Sequence, residues 1–83
     1  MKNKILVELY VAQLNETFNV MIPTNEYVEK IVQMIKESVF ELTDINDKKN
    51  EYCLLDPETG NTYNNSDIIR ETNIKNSKRI ILF

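Results

Sequence analysis

The chain has no histidine among its 83 residues, so the usual proton shuttle near neutral pH and the commonest metal ligand are both missing. Its one cysteine, Cys53, sits in the stretch Glu-Tyr-Cys-Leu-Leu of residues 51–55. No basic side chain lies beside it in sequence to stabilise a thiolate, so it reads as a small buried hydrophobe and not as a nucleophile. Asp44, Asn46 and Asp47 mimic the start of a calcium loop. Such a loop needs a glycine at its sharp turn and a bidentate glutamate at its end, and neither stands in place. Glu37 and Glu41 lie one helical turn apart, as an acid–base pair could, but they share their side with Lys30, Gln33 and Lys36 and read as a solvated face. Gly60 is the only glycine, which excludes a glycine-rich phosphate loop. The expectation is a protein that is not an enzyme, with no catalytic residue, no metal site and no cofactor.

Recognition is what remains, and charge narrows it. The net charge is −3, whereas a nucleic-acid surface needs a basic face to meet phosphates. Lys75, Lys78 and Arg79 form the one basic cluster, and it reads as the solvated start of a strand. Partners are therefore expected to be proteins, with no nucleic acid. The apolar stretch after the N-terminal Met-Lys-Asn-Lys is broken by Glu8, which fits a strand and not a signal-peptide core. No unbroken apolar run exceeds four residues, the length of Ile80 to Phe83, which is far short of the roughly 20 residues of a membrane span. No direct membrane insertion and a cytoplasmic location are expected. With one cysteine no internal disulfide can form, so packing must hold the fold.

The elements follow from periodicity. In residues 5–11, Ile5, Val7, Leu9 and Val11 fall on one face at period two, and Leu6, Glu8 and Tyr10 on the other. In residues 16–22, Phe18, Val20 and Ile22 alternate with Thr17, Asn19 and Met21. The short link between them predicts an antiparallel hairpin with a loop of about four to six residues. Pro23 ends the second strand. Thr24 and Asn25 offer helix caps, and Glu26 and Glu29 suit a helix's first turn. Val28, Ile31, Val32, Ile35, Val39 and Leu42 then form an apolar stripe about four turns long, which predicts one long helix. Residues 43–50 read as a surface loop and 51–55 as a third strand. Asp56-Pro57-Glu58-Thr59-Gly60 reads as a turn, in which proline presets φ and glycine can take a positive φ. A brief return strand at 61–63, a short helical turn at 68–72 closed by Asn73 in a left-handed conformation, and a last strand from Lys78 to Phe83 complete the order. Residues 1–83 read as a single α+β domain, with a sheet of four or five strands packed on one helix.

That order resembles the β-grasp fold of ubiquitin. Thr72-Asn73-Ile74-Lys75, leading into Arg79-Ile80-Ile81-Leu82, is similar to the ubiquitin segment before its last strand. Ile69, Ile74, Ile80 and Leu82 match core positions. Among ubiquitin-like proteins, the chain resembles the YukD/EsaB family of type VII (WXG100) secretion systems. The Ile5-to-Val11 strand, Pro23-Thr24, the Asp56-to-Gly60 turn and the Ile68-to-Leu82 segment carry that resemblance. It implies a bacterial accessory or regulatory component of the secretion system, with secretion-apparatus proteins as partners. The alternative is a sulfur-carrier or conjugated modifier. It is disfavoured because such proteins use a C-terminal Gly-Gly, whereas this sequence ends in Ile-Leu-Phe.

The resemblance pairs the last strand with the first, in parallel. Parity then puts Leu6, Tyr10, Ile81 and Phe83 together on the sheet face away from the helix, joined by either Tyr52 and Leu54 or Cys53 and Leu55. The candidate protein-binding residues are Leu6, Tyr10, Leu54, Ile81 and Phe83. The expected core is Ile5, Val7, Phe18, Val20, Val28, Ile31, Ile35, Ile69, Ile74, Ile80 and Leu82.

Overall fold

A computed structural model describes residues 3–40 and 51–83, with Phe40 described in its backbone only. Glu41 and Leu42, and the calcium-like Asp44, Asn46 and Asp47, lie outside the described residues.

The first two strands, β1 (Lys4–Val11) and β2 (Glu16–Pro23), form an antiparallel hairpin. Its four-residue link contains Asn15 with φ at 52°. The third and fourth strands are β3 (Leu54–Leu55) and β4 (Arg79–Leu82). They assemble as a mixed four-stranded sheet in the order β2-β1-β4-β3, with β1 and β4 parallel. The return strand expected at 61–63 is a single bridge between Leu55 and Thr62.

One helix, α1 (Val28–Ile35), covers one face of the sheet with Val28, Ile31, Val32 and Ile35 buried. It is short, where the stripe predicted a long helix. Residues Lys36–Phe40 continue in the wider π-helical turn, which still buries Val39. A four-residue step from Ile35 to Val39 is met by either geometry, so spacing does not separate them. The helix also starts later than Thr24 and Asn25 suggested. Its cap position is Tyr27, and no side chain caps it. Two of the free first-turn N–H groups are instead satisfied by the loop before the 3₁₀ turn Ile69–Glu71: Val28 donates to the Asp67 carbonyl at 2.8 Å and Glu29 to that of Asn65 at 3.2 Å.

The core lies between α1 and the sheet. Val7, Leu9, Val11, Leu54, Ile69, Ile80 and Leu82 are fully enclosed, with Ile74 beside them. Ile5, Phe18 and Val20 are only half-buried against it. Phe18 and Val20 fall short of the expectation because β2 is an edge strand with no neighbour on its outer side among the described residues. No helix among the described residues is long and apolar enough to cross a membrane.

Candidate protein-binding face

Strand register decides which side chains share the open face. Tyr10 is the cross-strand partner of Thr17 on β2 and of Ile81 on β4, and Ile81 is the partner of Leu55 on β3. A row Thr17–Tyr10–Ile81–Leu55 therefore crosses the whole sheet on the side opposite α1. Adjacent members stand on strands about 5 Å apart. Phe83 continues the apolar surface beyond the end of β4. It exchanges backbone hydrogen bonds with Cys53, N–H to carbonyl, at 2.9 and 3.1 Å. Phe83 is 40% exposed, while Tyr10, Ile81, Leu55 and Cys53 are half-buried.

Leu54 is not part of this face. It is completely enclosed, opposite Leu82 in the core, and Tyr52 is also buried. Of the two parities open to residues 51–55, the structure takes the one that turns Cys53 and Leu55 outward. The Tyr52 hydroxyl donates to the Gln13 side-chain oxygen at 2.8 Å, so its polar end is satisfied while its ring is covered. The Lys36 ammonium lies 5.2 Å from the centre of that ring.

Leu6 is on the open face but apart from the others. It lies four positions from Tyr10 along β1, about 13 Å at the rise of a strand. Between them runs a polar row, Asn19–Glu8–Arg79. The Arg79 guanidinium donates to the Glu8 carboxylate at 2.8 Å. Leu6 pairs instead with Met21, and the two are 41% and 55% exposed. The face thus carries two apolar patches, Tyr10–Ile81–Leu55–Phe83 and Leu6–Met21, divided by an ion pair. The Tyr10 hydroxyl donates to the Asn15 side-chain oxygen at 2.5 Å, which ties the ring to the hairpin loop.

A polar cluster follows directly on β3 in the chain. Asp56 is the one buried charged residue among those described. Its carboxylate accepts from Lys78 Nζ at 2.8 Å, from Asn73 Nδ2 at 2.7 Å and from the Glu58 N–H at 2.9 Å. These donors, the lysine first, hold the Asp56 carboxyl well below the usual carboxylate range, and the same bond raises Lys78. Gly60 closes the turn with φ at 77° and donates its N–H to the Asp56 carbonyl at 2.8 Å. Asn73 is not left-handed as expected. Its amide is occupied by Asp56 and by the Tyr63 hydroxyl, which donates to it at 2.6 Å. Burial, with the negative charge of Asp56, pushes the Tyr63 phenol up to about 12. The cluster joins the 56–60 turn to the start of β4. Its buried side chains are all partnered, which suits a structural staple.

Among the described residues, no group of cysteine and carboxylate side chains is placed to hold a metal ion. Cys53 is a free thiol, half-buried on the open face and not in the core as its sequence setting suggested.

No family model matches the sequence, and no curated protein matches it. Solved structures do. A chain of toluene 4-monooxygenase, in a complex with the inhibitor 4-bromobenzoate, superposes with a TM-score of 0.81 at 8% identity, covering 95% of each chain. An N-terminal ubiquitin-like domain superposes at 0.74 with 15% identity, over 98% of this chain and 74% of that one. The fold is ubiquitin-like. A chain of the ESX-5 inner-membrane complex superposes at 0.72 with 12% identity, over 98% of this chain but only 21% of its own length. Identities this low speak to the fold alone.

Proposed function

We propose that this ubiquitin-like chain is a non-enzymatic protein-interaction module, and that it serves as an accessory or regulatory component of a bacterial type VII secretion system in the cytoplasm. The observation that carries the first part is the row Tyr10–Ile81–Leu55, continued by Phe83, on a sheet face that no element of the fold covers among the described residues. An apolar strip with a polar border is how a protein-docking surface is built. The secretion assignment is supported by the YukD/EsaB resemblance of the turn and C-terminal segment. The fold likeness to part of an ESX-5 inner-membrane complex chain agrees with it. Components of that secretion apparatus are the partners this reading names.

A photo-reactive amino acid at Leu55, in a host with the secretion genes intact, tests the reading. Crosslinks to secretion-apparatus components from Leu55, but not from Lys30 on the helix exterior, are the expected result. Crosslinks from Lys30 alone would move the docking surface to the helix. Crosslinks from Leu55 to unrelated proteins would remove the secretion assignment and keep the interaction module.

A further inference from the structure

The outer edge of β2 is an unprotected strand. Glu8 donates its N–H to Lys78, Ala12 donates to Leu82, and Leu6 accepts from Ser77, so the even residues of β1 face β4 and the odd ones face β2. Ile5, Val7, Leu9 and Val11 therefore bond with Ile22, Val20, Phe18 and Glu16. The backbone N–H and C=O of Thr17, Asn19 and Met21 point the other way, off the sheet. Nothing among the described residues pairs with them.

Edges of this kind are normally blunted by lysine, by proline within the strand, or by a bulge. The segment Thr-Phe-Asn-Val-Met-Ile, residues 17–22, has no charge, no proline and no glycine. Protection begins only outside it, at Glu16 and Pro23. On the helix side of the edge, Phe18 and Val20 are half-buried. On the open face, Met21 is exposed.

We propose that this edge pairs with the β2 edge of a second copy of the chain, antiparallel about a twofold axis at Asn19. The register follows from the ends of the strand. Centring on Asn19 pairs Thr17 with Met21 of the second copy and Asn19 with its own equivalent. All of these residues have both backbone groups free, which gives about six backbone hydrogen bonds. A shift one way would place Pro23, which has no N–H, opposite Thr17. A shift the other way would bring in Asn15, which has left the strand at φ 52°. In the centred register Phe18 lies against Val20 of the second copy and covers what the monomer leaves half-exposed. Glu16 meets Ile22, so no like charges face each other across the pair. The sheets join into a continuous eight-stranded one, and the open faces of the two copies lie on the same side. The inference stands independently of the docking role proposed above.

Sedimentation equilibrium across a concentration series, with amide hydrogen exchange, tests it. The expected mass rises from 9.8 kDa toward twice that value. Exchange at Thr17, Asn19 and Met21 slows as concentration rises, while Phe18 and Val20 are protected throughout. Asn19→Pro removes an N–H that β1 does not use, so it spares the hairpin and is expected to abolish the dimer. Asn19→Lys places two like charges at the axis and is expected to weaken association at least tenfold. A chain that stays monomeric at millimolar concentration, with fast exchange at Thr17, Asn19 and Met21, would overturn the proposal. So would a dimer that persists in folded Asn19→Pro.

Discussion

Replacing Leu54 by alanine tests the parity of β3, on which the composition of the open face depends. Leu54 is fully enclosed against Leu82, whereas Leu55, one residue later, is half-buried on the other side. Leu54→Ala removes three carbons. At about 0.8 kcal/mol each, that forfeits about 2.4 kcal/mol of transfer energy before any cavity is counted. A cavity that the packed core cannot fully close raises the cost to about 3–4 kcal/mol. A domain of this length has a total stability of about 4–12 kcal/mol. The midpoint of thermal unfolding should fall by about 15–25 °C. Leu55→Ala removes the same atoms from a half-solvated site and should cost about 1 kcal/mol. Urea unfolding followed by circular dichroism gives both numbers in one experiment. Equal costs, or a larger cost at Leu55, would refute the assigned parity and return Leu54 to the binding face.

The Asp56 staple predicts a pH signature. Its carboxyl titrates lower in the folded chain than in the unfolded one, so its stabilisation is fully present above the ordinary aspartate value of about 4 and is lost as pH falls below it. Thermal melts of wild type and Asp56→Asn should therefore be well separated at pH 7 and converge toward pH 2; a constant gap would show that Lys78 and Asn73 do not select the charged form. Gly60→Ala meets no atom within 4 Å, so its cost is that of a positive φ alone, about 1 kcal/mol by denaturant titration. Ile35→Ala should cost about 2–5 kcal/mol, because Ile35 lies in the core at the last regular turn of α1. A loss under half a kcal/mol would mean that the helix face is misassigned.

Legibility varied with the distance over which the cause acts. Alternation in residues 5–11 was enough to place Val7, Leu9 and Val11 in the core and Leu6 and Tyr10 outside it, because one buried face specifies a strand locally. The Ile69, Ile74, Ile80 and Leu82 core came through the resemblance. β3 was ambiguous because Tyr52, Cys53, Leu54 and Leu55 are apolar or amphipathic on both parities. Only the pairing of Leu54 with Leu82 breaks that symmetry. The Asp56 staple was legible only as a turn. Lys78 and Asn73 are 22 and 17 residues away, and no local pattern joins them to the carboxylate. The separation of Leu6 from Tyr10 is not legible from parity, which fixes the face of a residue but not what lies between two residues on it. Glu8 stood between them in the sequence and was the available signal. In the sequence its partner Arg79 reads only as part of a basic strand start.

The docking face is tested most directly by Ile81→Asp. Ile81 sits at the centre of the row, between Tyr10 and Leu55, on the side away from the core. A carboxylate there leaves the fold in place but would be desolvated in the middle of an apolar contact, a cost of several kcal/mol to binding. Lys30→Glu on the helix exterior is the control. Lys36 is unsuitable as a control, because its ammonium lies over the Tyr52 ring. The measurement is co-fractionation from the native host, with circular dichroism to verify folding. The account predicts that folded Ile81→Asp loses the wild-type partners and that Lys30→Glu keeps them; a folded Ile81→Asp chain that retains every partner would contradict it.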